Sequence, residues 1–138
     1  MKASYLTILL CIILNLWGGC SSPTSALLES ESQVKLRSIQ SRRFETNDKD
    51  MALRTAMATL QDLGFVIDSA DAVLGTVSAT KLNQYAVRMT ITVRPYGEGQ
   101  IIVRANAQYN LKAIEDPQPY QQFFDAYAKA MFLTAQNI

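Results

Sequence analysis

The stretch Tyr85–Asn110, YAVRMTITVRPYGEGQIIVRANAQYN, decides how the chain folds. Its first arm sets Tyr85, Val87, Met89, Ile91 and Val93 against Ala86, Arg88, Thr90, Thr92 and Arg94. Its second sets Ile101, Val103, Ala105, Ala107 and Tyr109 against Ile102, Arg104, Asn106, Gln108 and Asn110. Side chains alternate across a strand with period two, so each arm is a strand with one apolar and one polar face. PYGEGQ between them supplies the turn. A parallel sheet covered on both sides would show near-continuous apolar runs, so this alternation predicts an antiparallel hairpin with one face in water. A register that pairs Thr92 with Arg104 also pairs Arg88 with Gln108. The wet face then carries Arg88, Thr92, Arg104, Asn106 and Gln108 with few acids. Such a plane can hold an anionic glycan, a peptide strand or a lipid head group, or serve only as a solvated sheet face.

Working outward, TNDKDMALRTAMATLQDLG predicts a helix. Asn47 is placed to cap the first amides, Asp50 stands three residues on, and Asp48 favours the positive helix end. Leu53, Ala56, Met57, Leu60 and Leu63 recur at helical spacing, and Gly64 followed by Phe65 marks the stop. Two short strands, Phe65 to Asp68 and Val73 to Thr80, follow, with SAD (69–71) read as their turn. Before the helix, VKLRSIQSRRF (34–44) is expected to hold the first strand, its parity change between Leu36 and Ile39 read as a bulge near Ser38. After Pro117 and Pro119 a helix is expected from Tyr120 to about Ala135, its apolar stripe formed by Tyr120, Phe123, Phe124, Tyr127 and Met131. Phe132 widens that stripe, so Phe124 and Phe132 are candidates for a second, apolar partner or ligand surface.

Strand, helix, four strands, helix is an α+β order: an antiparallel sheet of about five strands with two helices packed on one face. Residues 34–138 form this single domain. At the level of topology it resembles the helix-grip modules in lipoproteins of the outer-membrane β-barrel assembly machinery, where phrases like TLQDLGFVIDSADAVLGTVSATK also occur.

The N-terminus carries an address. Met1 and Lys2 precede an apolar run from Leu6 to Trp17, broken only by Thr7 and Asn15, and Gly18-Gly19 follow: a signal-peptide pattern over residues 1–19. A membrane-spanning helix needs about 20 apolar residues, and the polar residues from Ser21 stop this run short. Of the two cysteines, Cys11 lies within the run and Cys20 directly after it. LWGGCSS (16–22) resembles the lipobox of bacterial lipoproteins, with Trp17 standing where leucine is commonest. The resemblance implies cleavage after Gly19 and acylation of Cys20. It also implies sorting to the outer membrane, since Ser21 is not the aspartate that favours inner-membrane retention. Two or more acyl chains anchor stably, where one gives only marginal binding. Ser-rich residues 21–33 read as a tether with an r.m.s. span of ~20 Å.

Of 13 Lys and Arg against 12 Asp and Glu, only Lys2 leaves with the signal segment, so the remaining chain is formally neutral. It lacks the basic footprint that neutralises phosphates, and nucleic acid is not an expected partner. The chain has no histidine. Ser/His and Cys/His nucleophile pairs and Cys/His zinc sites therefore have no members here. Asp68 and Asp71 are the nearest approach to a carboxylate pair, but a strand end and a turn former account for them. GEG (97–99) is turn chemistry, too short for a phosphate loop. Neither metal nor cofactor is expected. The resulting expectation is a non-enzymatic lipoprotein on the periplasmic face of the outer membrane, binding an envelope protein as an accessory or assembly factor. The alternative is a periplasmic binding module for an apolar or anionic small ligand, a lipid or a glycan.

Overall fold

The computed structural model describes residues 32–83 and 85–136. Cys20, the signal segment and most of the expected tether lie outside them. Helix α1 covers residues 32–39, followed by β1 (Ser41–Phe44), α2 (Lys49–Asp62), β2 (Val66–Asp71), β3 (Thr76–Asn83), β4 (Tyr85–Pro95), β5 (Ile101–Tyr109), β6 (Lys112–Ala113) and α3 (Gln118–Gln136). The sheet is antiparallel in the order β1-β5-β4-β3-β2, with β6 also on β5. One side of it packs against helices, as an α+β fold requires.

The central hairpin has the expected register: Thr92 pairs with Arg104 and Arg88 with Gln108. Met89, Ile91, Val93, Ile101, Val103, Ala105 and Ala107 all face the helices and are buried. Burial of this face at roughly 25 cal/mol per Å² of apolar surface is the main term holding the layers together.

Helix α2 packs Ala52, Leu53, Ala56 and Leu60 onto that face. Its N-cap is Asp48, one residue later than expected. The Asp48 Oδ1 accepts the Met51 amide at 2.8 Å, while Thr46 Oγ1 accepts the Asp48 amide at 3.2 Å. Thr55 and Thr59, missing from the sequence stripe, are buried too. Each hydroxyl donates to the carbonyl four residues back, so neither brings an unmet hydrogen bond into the core. The helix ends as expected. Gly64 takes φ +83°, its amide donates to Gln61, and the Phe65 amide donates to Leu60, a paired closure that satisfies two orphan carbonyls.

Three expectations are corrected. Residues 34–39 are helix, not strand: Leu36 and Gln40 are buried and Ile39 half-buried, an i, i+3, i+4 set, so the apparent bulge was a turn of α1. Among the described residues three helices are present where two were expected, and α1 includes residues 32 and 33 at the end of the expected tether. The β2–β3 turn is Ala72–Gly75 rather than SAD, and both strands shift accordingly. Asp71 opens this turn by accepting the Leu74 amide at 2.8 Å, and Gly75 closes it at φ +63°.

Helix α3 starts two residues before the expected Tyr120. Asp116 Oδ1 accepts the Gln118 amide there. Tyr120, Phe123, Phe124, Tyr127 and Met131 form its buried stripe. The Tyr120 hydroxyl fills a gap in the sheet edge between β1 and β6. It lies 2.6 Å from the Ile114 carbonyl and 3.3 Å from the Ala107 amide, and Gln40 Nε2 reaches it at 3.4 Å. The Tyr127 hydroxyl donates to the Ala52 carbonyl at 3.1 Å, joining α3 to α2, and burial raises its pKa well above the ordinary 10.0.

Candidate functional site

The side of the sheet away from α2 and α3 is the candidate site, and its side chains follow from the strand register. Four cross-strand rows make up most of it, and Leu82 with Ala86 extends it beyond the fourth. Arg43, Ile102 and Arg94 form one; Ser41, Arg104, Thr92, Thr76 and Asp71 the next; Asn106, Thr90, Ser78 and Ser69 the third. Ala113, Gln108, Arg88, Thr80 and Val66 form the last. The expected group Arg88, Thr92, Arg104, Asn106 and Gln108 is therefore brought together on one surface.

Charge is distributed unevenly over this surface. On the β2 side Asp68 Oδ2 accepts from the Thr80 hydroxyl at 2.6 Å and lies 3.8 Å from Arg88 Nε. Arg88 is thus matched locally, though an exposed pair of this kind contributes little to stability. On the β1, β5 and β4 side stand Arg43, Arg94 and Arg104. Arg43 lies over the Tyr96 ring at 4.8 Å. Among the described residues none of these three forms an ion pair. Two shallow depressions open between the rows. One, of about 500 Å³, is lined by Ser41, Thr92, Arg94, Ile102, Arg104 and Asn106. The other, of about 410 Å³, is lined by Thr90, Asn106 and Gln108 with Gln40, Leu111 and others. Arginines, hydroxyls and carboxamides offer many donors and few acids, an arrangement that recognises carboxylates and other anions.

The other expected residues lie elsewhere. Phe124 is fully buried among the core aromatics and lies under Arg42, whose guanidinium is 5.0 Å from its ring. It presents no surface, which corrects its assignment to one. Phe132 is 64% exposed and lines a groove of about 650 Å³ with Phe44, Met51 and Met131, on the helix side of the molecule. The polar sheet face and the groove at Phe132 are thus on opposite layers. Arg42 and Arg43 also part: Arg42 turns to the helices and bridges Asp125 at 3.2 Å, while Arg43 joins the open face. Arg43 and Arg94 were missed as members of the site. Arg94 was visible in the β4 alternation, but the pairing of β1 with β5 is non-local and carries no sequence signal.

Asp68 and Asp71 do not form a carboxylate pair. Asp68 is held by Thr80 and Arg88, and Asp71 caps its turn. Among the described residues no group of three or more Cys, Asp or Glu side chains is placed to hold a metal ion, and no helix is long and apolar enough to cross a membrane. No protein-family model matches the chain, and no curated protein matches its sequence.

Proposed function

We propose that this protein is a non-enzymatic lipoprotein, held by acylated Cys20 at the periplasmic face of the outer membrane, that docks an envelope protein on the open face of its sheet. The observation that carries the docking surface is the set of Arg43, Arg94 and Arg104, exposed on one sheet face without acidic partners among the described residues. The matching surface on the partner is acidic. The lipobox-like LWGGCSS supports the anchor. Chemical crosslinking followed by purification from detergent extracts tests the reading. A discrete envelope protein is expected with the wild-type chain, and its recovery falls when Arg94→Glu and Arg104→Glu are combined. Recovery of the lipoprotein alone, or recovery indifferent to the double charge reversal, contradicts it.

A further inference from the structure

We propose that a pocket on the helix side of the sheet, at the end where α2 stops and α3 begins, binds a short amphiphilic carboxylic acid with Lys81 as its charged partner. This site is separate from the open sheet face and does not rest on the function proposed above.

The starting point is an inversion at the end of β3. Val77 and Ala79 are buried toward the helices, so the next residue in that register should be apolar. It is Lys81, half-buried, while Leu82 on the opposite face is 82% exposed. Burying part of a cation costs free energy unless its hydrogen bonds are met. Lys81 Nζ donates to the Leu63 carbonyl at the end of α2 at 2.7 Å and lies 5.7 Å from the centre of the Phe65 ring. That bond uses one of the three ammonium donors, and among the described residues no carboxylate pairs with it.

Lys81 lines a cavity of about 240 Å³ together with Leu63, Phe65, Tyr85, Val87, Met89 and Gln122. Leucine, phenylalanine, valine and methionine make its wall, and Met89 is fully buried. Pro119 and Gln122 bring the first turn of α3 to the rim. An apolar wall beside one cation and one carboxamide selects a hydrocarbon chain ending in a single negative charge. An alcohol leaves the ammonium without a counter-charge, and a polar anion leaves the apolar wall wet. A phosphate monoester brings three acceptor oxygens and nearly twice the charge, more than one lysine neutralises. The volume falls below the ~300–1,000 Å³ of sites for drug-sized ligands, which indicates a short chain of the octanoate class.

Photolabelling of the full chain in detergent with octanoic acid bearing a terminal diazirine, followed by peptide mass spectrometry, tests the site. Adducts are expected on Phe65, Tyr85 and Val87, displaced by octanoate at about tenfold lower concentration than by octanol. Lys81→Met removes that preference and Lys81→Arg retains it. Gln122→Trp, at an exposed position on the rim, blocks labelling while circular dichroism stays that of the wild type, and this variant decides the matter if Lys81→Met fails to fold. Adducts spread along the chain overturn the proposal, as does labelling unchanged by Lys81→Met or by Gln122→Trp, or displacement by octyl phosphate better than by octanoate.

Discussion

Replacing Tyr120 by Phe removes one oxygen and leaves the ring in the core, so its effect isolates the hydroxyl that closes the sheet edge. That hydroxyl has one proton, and the 2.6 Å contact assigns it to the Ile114 carbonyl, leaving the oxygen to accept from the Ala107 amide and from Gln40. Ala107 is buried, and its carbonyl has a second partner in the Ile114 amide at 2.9 Å, but its own N–H has none to replace the phenol. A buried donor left unmet costs ~1–3 kcal/mol, and the short bond to Ile114 contributes about 1 kcal/mol more. The sum is a loss of about 2–4 kcal/mol, or roughly 10–20 °C in Tm for a domain near 100 residues. Tyr127→Phe is the control. Its hydroxyl meets only the Ala52 carbonyl, which the α-helix already pairs, so a loss of about 0.5–1.5 kcal/mol is expected. Far-ultraviolet circular dichroism during urea unfolding is the suitable assay, because the one tryptophan, Trp17, lies outside the described residues. Hydrogen exchange at Ala107 should quicken selectively in Tyr120→Phe. Equal losses for the two variants, or unchanged exchange at Ala107, would refute the assignment.

Gly75→Ala should cost about 2–4 kcal/mol, since φ is +63° and an added Cβ would sit 2.5 Å from the Val93 carbonyl oxygen, with backbone strain and overpacking adding; a melting point within 2 °C of wild type, roughly half a kcal/mol, contradicts this. Tyr127 is buried with its pKa raised, so the unfolded chain loses its phenolic proton first as pH rises. Stability is full below the ordinary value of 10.0 and declines above it, and Tyr127→Phe should flatten that decline in urea titrations at alkaline pH. Metabolic labelling with a palmitate analogue should mark the wild-type protein and not Cys20→Ala, with equal labelling of both excluding the anchor.

Where local chemistry decides the structure, it was legible. The β4–β5 hairpin announces itself through strict alternation, and α2 stops at Gly64-Phe65 because a left-handed residue and the apolar one after it are close in sequence. Leu36 and Ile39 were misread because four residues of strand follow directly, and a short window holding both periods looks like one interrupted strand. Asp71 did belong to a turn, but as its first residue; the residue that demands the turn is Gly75, whose need for a bare Cα comes from Val93 across the sheet. The site was legible for residues on the hairpin itself. Arg43 joins it only through a strand about sixty residues away in sequence, and Lys81, set inward by the β3 register, has its ammonium met there by a carbonyl of the distant α2 terminus. Phe124 and Phe132 looked alike in a stripe of aromatics, yet the stripe of Tyr120, Phe123, Phe124, Tyr127 and Met131 faces the core and leaves Phe132 outside it.

The central claim is that the open sheet face, rather than the helix layer, meets the partner. Photo-crosslinking amino acids placed singly at Thr90, Thr92 and Asn106 on the sheet, and at Arg54 and Ala58 on exposed positions of α2, compare the two layers in living cells. The sheet positions should give one discrete higher-mass adduct that the Arg94→Glu, Arg104→Glu pair weakens, and the α2 positions none. An adduct formed from α2 and absent from all three sheet positions would contradict the account.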